Sequence, residues 1–282
     1  MAETPHLPLP SLSARRFGAR RIPALTDEAL FEQTGVRIAF TEREGGASKG
    51  AFSSFNLGSH VGDNLNCVVE NRLRLLEALD ASNAQLIVPN QVHGDRVVLV
   101  DDADPACVDA ARRQAEEGAD ALVVSVQGIA ALLCFADCVP VIVVSPTSRF
   151  AVVHAGWRGV VSAVAVKAVR ELAAADEAGL GPSAAAAYNV YVGPHIHAEC
   201  FETGEDVRAL FADRFGEACA PDQRHVDLSA ALTASFVEAG IDRRRIEDAG
   251  ICTACEPARY YSYRALGGVC GRHGAFACRK AG

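Results

Sequence analysis

The longest apolar run of the chain, Gly128 to Val144, is broken near its middle by Asp137 and Pro140 and is followed by a Ser145-Pro146 turn. A membrane-spanning helix needs about 20 consecutive apolar residues without such breaks. The run therefore reads as two short buried strands, Ala130–Phe135 and Val139–Ser145, with Ala136-Asp137-Cys138 between them. Five other stretches share this length and β-branched character: Val36–Phe40, Arg96–Val100, Ala121–Ser125, Phe150–His154 and Asn189–Val192. Helical patterns cover Cys67–Leu79, Gly159–Ala174, Gly204–Phe215, Leu228–Ala239 and the short Asp242–Ile246, with Asp227 as N-cap of the fourth. Strands and helices mix without strict β-α-β alternation, which predicts an α+β or mixed-sheet α/β layer fold, not a Rossmann fold. Asp101–Gln114 and Ala174–Ala187 read as surface connections.

A formal net charge of −8 argues against a nucleic-acid or anionic-membrane surface and leaves room only for a local basic pocket. Residues 1–24 hold prolines and arginines but no apolar core of a secretory signal; they are expected to be a partly ordered leader to a single catalytic domain, 25–282. A cytoplasmic protein with reduced thiols is the expectation for its ten cysteines. Cys252-x-x-Cys255 looks like half of a zinc knuckle, but no second pair follows at a matching spacing, since Cys270 and Cys278 lie eight apart. Cys252 and Cys255 are read as structural thiols.

Three segments place a metal-binding side chain at or near the end of an apolar run, next to Gly or Pro: Asn90-Gln91-Val92-His93-Gly94, Phe135-Ala136-Asp137-Cys138-Val139-Pro140 and Val153-His154-Ala155-Gly156-Trp157-Arg158-Gly159. Two imidazoles and one thiolate leave a fourth tetrahedral position open, the pattern of catalytic zinc. Spacing alone leaves two readings open, a shared metal site and a buried thiol with hydrogen-bonded histidines. Asp137 is a candidate general base or ligand-orienting carboxylate; a turn carboxylate bonded to backbone is the alternative.

These segments, with Ala119-Asp120-Ala121-Leu122 between them, Asn56-Leu57-Gly58-Ser59-His60-Val61-Gly62-Asp63 and Glu70-Asn71-Arg72 upstream, and Gly193-Pro194-x-Ile196, Cys252-Thr253-x-Cys255 and Ser262-Tyr263-Arg264 downstream, resemble one family. It is known variously as polyphenol oxidase (laccase domain), purine nucleoside phosphorylase and peptidoglycan editing factor. The resemblance implies a single-domain, layered α/β/β/α-type fold with mixed sheets flanked by helices. It implies zinc held by His93, Cys138 and His154, and phosphorolysis of adenosine, inosine and methylthioadenosine, with adenosine deamination. The partners would be a purine nucleoside and phosphate. Cys138 is then either a metal ligand or a nucleophile. Arg43, Arg158 and Arg264 are candidates for phosphate contact, and Asn56 and His60 for ribose or base. A metal-free thiol hydrolase editing cell-wall precursors is the rival reading. A copper oxidase is disfavoured, because eight histidines scarcely suffice for a multicopper cluster. The segment His195-Ile196-His197-Ala198-Glu199 departs from the family pattern of small residues; His195 and His197 are expected as partly exposed loop residues.

Overall fold

Side chains alternate along a strand, so one sheet can serve two cores. The computed structural model describes residues 6–181 and 183–280, and these use that property twice. The first five residues of the expected leader lie outside the described residues. Two six-stranded mixed sheets form. The first runs β1 (Ser13–Phe17), β2 (Ile22–Thr26), β3 (Val36–Thr41), β12 (His273–Arg279), β7 (Ile129–Phe135), β4 (Gln85–Ile87). The second runs β11 (Ile246–Asp248), β10 (Asn189–Val192), β8 (Val139–Val144), β9 (Phe150–Ala155), β6 (Ala121–Val124), β5 (Val97–Val100). The pairs β4–β7, β5–β6 and β10–β11 are parallel and the others antiparallel.

One core lies between the sheets, where Phe40, Leu133, Phe135 and Ala277 meet Leu122, Val124, Ile142 and Val152. The opposite face of the second sheet, with Ala121, Val123, Val141 and Val153, is covered by α4 (Trp157–Val161), α5 (Val164–Leu180), α6 (Glu205–Phe215) and α7 (Leu228–Glu238). The outer face of the first sheet, with Ala39, Leu132 and Phe276, packs against Leu75 and Leu76 of α2 (Leu65–Ala78). Two more helices, α1 (Glu28–Thr34) and α3 (Pro105–Glu117), border the inter-sheet core through Leu30 and Val108. Helix, sheet, sheet and helix stack in that order, as the resemblance implied.

The differences from the sequence expectations are local. Part of the expected leader forms β1 and β2, pairing Ser13 with Thr26 and Phe17 with Ile22 at the sheet edge. Asp101–Gln114 is not a plain connection, because it contains most of α3. Asp104 caps that helix by accepting from the Ala106 N–H at 2.9 Å, with Pro105 in its first turn. Ala174–Ala187 likewise begins as the last turns of α5. The helix expected from Gly159 to Ala174 is two helices, broken at Ala163, whose φ is +61°. The Asp227 cap is present, accepting from Ala230 N–H at 2.8 Å.

Candidate metal centre

The chain passes from the first sheet to the second through Ala136-Asp137-Cys138, the link between β7 and β8. Antiparallel pairing of β8 with β9 sets Pro140 opposite His154 and Val139 opposite Ala155, so Cys138 falls beside Gly156. A Cβ on Gly156 would lie 3.0 Å from His93 Cδ2 and 3.1 Å from Cys138 Sγ. Only glycine leaves both side chains where they are.

His93 arrives from the loop between β4 and β5 with φ +58°, a conformation that a side chain adopts at a cost. Asp120, just before β6, holds it there. Its carboxylate accepts the consecutive N–H groups of Val92 (3.2 Å), His93 (3.0 Å) and Gly94 (2.7 Å). The same carboxylate lies 2.7 Å from His154 Nδ1, and the Asp120 carbonyl accepts the His154 N–H at 2.7 Å. One buried carboxylate thus orients both histidines, leaving Nε2 of His154 as its metal-facing nitrogen, the arrangement that tunes a metal-bound imidazole.

The donor atoms of His93, Cys138 and His154 all lie within 4.8 Å of one another. Tetrahedral zinc bonds imply ligand separations of about 3.3–3.6 Å, so a small inward adjustment closes the set around an ion. Electrostatics prepare the thiolate. Burial opposes ionisation of the Cys138 thiol, but the charge of His154 and hydrogen bonds from His154 and His93 outweigh it and hold the thiol at about 6. Burial also opposes the His154 charge, yet the Cys138 thiolate and Asp120 raise this imidazole to about 9. Asp120 is held below the usual carboxylate range: its burial acts the other way, but the His154 hydrogen bond and charge prevail, aided by the Gly94 and Val92 N–H groups. The site is a thiolate–imidazolium pair, Cys138 with His154, beside His93, and a metal ion here would take the place of the proton between them.

Asp137 sits in the same link at φ +86°. One carboxylate oxygen accepts the Thr253 hydroxyl at 2.7 Å and the other the Arg264 N–H at 2.7 Å, while its carbonyl accepts the Ile196 N–H at 3.0 Å. It ties three loops together around the link that carries Cys138.

The three donors lie between two cavities. The larger, about 490 Å³, is lined among others by His60, Arg72, Gln91, Tyr263, Arg264 and Arg272. The smaller, about 200 Å³, is bounded by Trp157, Arg158 and Phe201. Of the expected substrate residues, His60 and Arg264 line the larger cavity and Arg158 the smaller one, its guanidinium stacked 4.2 Å over Trp157. Two Arg264 nitrogens already donate to the carbonyls of Cys200 and Glu202. Arg43 lines neither cavity: it donates to the Ser53 and Pro257 carbonyls and lies 4.5 Å over Tyr261. Asn56 is fully buried, accepting N–H groups of Gly58 and Arg272 and donating to Gly58 and Asp63, so it closes the loop beside the cavity. His195 is 1% exposed, contrary to expectation, because Gly193-Pro194-His195 bridges to the Cys252 segment and its Nδ1–H donates to the Gly193 carbonyl at 2.8 Å. Burial lowers its pKa.

Asp120, Arg72, Gln91, Tyr263 and Arg272 were not among the expected site residues. Asp120 stands in Ala119-Asp120-Ala121-Leu122, where an acid enters a run that is otherwise a buried strand. That was its signal. Gln91 grips Cys134 on β7 in both directions at 2.8 Å, fixing the histidine loop to the first sheet.

Residues 37–280 match the family described as multi-copper polyphenol oxidoreductase laccase. An adenosine deaminase, RL5, from an unknown prokaryotic organism is 36% identical over 246 residues, covering 84% of this chain and 92% of its own. A purine nucleoside phosphorylase from Xylella fastidiosa (strain 9a5c) is 37% identical over 247 residues, covering 82% and 87%. The crystal structure of YlmD from Geobacillus stearothermophilus superimposes with a TM-score of 0.79 at 30% identity, over 95% of this chain and all of that one.

Proposed function

The chain belongs to the multi-copper polyphenol oxidoreductase laccase family, and from that membership we propose that it is a zinc-dependent purine nucleoside phosphorylase. Its substrates would be adenosine, inosine and methylthioadenosine, with adenosine deamination as a second activity of the same pocket. The observation that carries the reading is an open His93–Cys138–His154 donor set at the wall of a cavity lined by cationic side chains. The relatives named for both activities support it. A zinc ion on these donors would supply a Lewis acid and a bound water of lowered pKa. The donor set disfavours a multicopper cluster: one thiolate and two imidazoles make a mononuclear site, and the other histidine facing the larger cavity, His60, is outside the cluster.

Arg72 donates Nε and Nη2 to the Leu57 carbonyl, and Arg272 donates Nη1 to the Cys270 and Gly271 carbonyls. Arg72 also bonds the Cys134 thiol and Arg272 the Cys270 sulfur, and both guanidinium groups line the larger cavity, where they are the charged donors that a phosphate requires. Tyr263, 56% exposed, offers a ring on which a purine can stack. Asp137, with both oxygens engaged, positions the Cys138 link and serves catalysis through it.

One observation favours a second reading. Asp120, His154 and Cys138 form a carboxylate–imidazole–thiolate chain, which without metal is the constellation of a thiol hydrolase acting on a cell-wall precursor. Incubation with adenosine, with and without phosphate and chelator, separates the two. Ribose 1-phosphate that needs phosphate and is abolished by chelator supports the phosphorylase, and inosine formed without phosphate supports the deaminase activity. Absence of both products from the zinc-loaded protein sinks the proposal, and chelator-resistant amide hydrolysis lost in Cys138→Ser would establish the rival.

A further inference from the structure

Sequence offered Cys252 and Cys255 without a second pair; the fold supplies the missing partner. Cys200 lies on the turn after β10, directly after the segment that departs from the family pattern, and is brought against the Cys252-Thr253-Ala254-Cys255 loop that follows β11. The sulfurs of Cys200 and Cys255 are 3.6 Å apart. A disulfide requires about 2.05 Å, whereas two thiolates on one tetrahedral zinc ion stand about 3.8 Å apart. The Cys252 sulfur and a Glu199 carboxylate oxygen complete a group of four donors, all within 4.8 Å of one another. The backbone N–H of His197 points at the Cys252 sulfur at 3.4 Å, the outer hydrogen bond that a metal-bound thiolate accepts. Cys252 is buried while Cys255 and Glu199 are exposed, so the group has a fixed base and an open side for entry.

We propose that Cys200, Cys252, Cys255 and Glu199 form a second metal site, structural in character, for a thiophilic divalent ion such as zinc. Three thiolates and a carboxylate fill all four tetrahedral positions, leaving none for substrate. The site would act as a staple. Phe201, next to Cys200, borders both cavities; Arg264 donates to the Cys200 carbonyl; and Thr253, between the two other cysteines, holds Asp137. An ion here locks the turn that forms one wall of the metal centre. Each thiol releases its proton to solvent on binding, with no change in oxidation state.

Reduced full-length protein loaded with zinc and freed of excess should carry two ions per chain, one for each donor group. His154→Ala and Cys255→Ser should each leave one, and zinc should shield four thiols from alkylation in the unmodified chain. A single ion per chain with only one shielded thiol overturns the proposal, as does a Cys255→Ser chain that keeps the full zinc content. Cobalt in place of zinc in the His154→Ala chain should give intense sulfur-to-metal charge-transfer absorption, and its absence has the same force. Thiol shielding needs no substitution, so it decides the matter even where a variant fails to fold.

Discussion

Replacing Asp120 by Asn keeps shape and volume and changes only hydrogen-bonding sense, which makes it a sharp test of how the metal centre is built. Oδ1 of Asp120 serves His154 Nδ1 and the His93 N–H, while Oδ2 serves the N–H groups of Val92 and Gly94. An amide offers one oxygen. Whichever way it turns, two of the four donors face an NH2 group. Each buried donor left unpaired costs about 1–3 kcal/mol; the loop is partly open to water, so about 2–4 kcal/mol in total is expected, against a typical stability of about 5–15 kcal/mol. The protein should therefore fold with a lowered melting temperature, with the His93 loop loosened at Val92 and Gly94 in one orientation of the amide and both histidines released in the other. Loss of such an outer hydrogen bond lowers metal affinity by about 10- to 100-fold. Competition against a chromophoric chelator measures this directly, and the proposed nucleoside phosphorolysis, assayed at saturating zinc, gives a second readout. Affinity within twofold of the unmodified protein would refute the role given to Asp120.

Gly156→Ala has an allowed backbone, φ −70°, yet its methyl would press on His93 and Cys138; zinc affinity should fall at least tenfold while far-UV circular dichroism is unchanged, and equal affinity would count against the packing. In metal-free protein Cys138, lowered to about 6, is a thiolate above that pH. Its alkylation rate should stay high down to pH 6 and fall below it, zinc should suppress it, and His154→Ala should move the inflection upward. An inflection near that of an ordinary thiol would remove the His154–Cys138 pair. Gly193→Ala sets a Cβ 2.3 Å from the Phe40 ring between the sheets. Overpacking there should cost about 1–3 kcal/mol or more, read as a lower urea midpoint, and an unchanged midpoint would contradict it.

The seven strands read from β-branched runs all appear, because long buried runs of Val and Ile state their structure locally. Those not foreseen are the Arg-bearing edge strand β1, the three-residue β4 and β11, the short β2, and β12. β12 lies in the middle of the first sheet, yet Gly274, Ala275 and Ala277 carry little strand preference of their own. Its place is set by pairing with β3 and β7. Small residues suit it because the neighbours are close: a Cβ on Gly274 would meet side chains of Leu132 and Leu57 at 2.7 Å.

The same division runs through the site. His93, Cys138 and His154 could be named because their segments carry the family resemblance; residue type and the Gly or Pro beside each left a metal site and a buried thiol both open. Which arginine faces the cavity could not: Arg43 and Arg72 are alike as residues, and only packing sends one to the Ser53 and Pro257 carbonyls and the other to the cavity wall. Asp120 gains its importance from four donors gathered from one loop and a strand, and Cys200 gains two thiol neighbours more than fifty positions away. By itself, the sequence determined the layered strands and helices, and through its family resemblance it singled out His93, Cys138 and His154. Tertiary structure alone decided which polar groups converge, because hydrogen bonds and metal bonds act over a few ångströms and chain distance carries no record of what folding will bring that close.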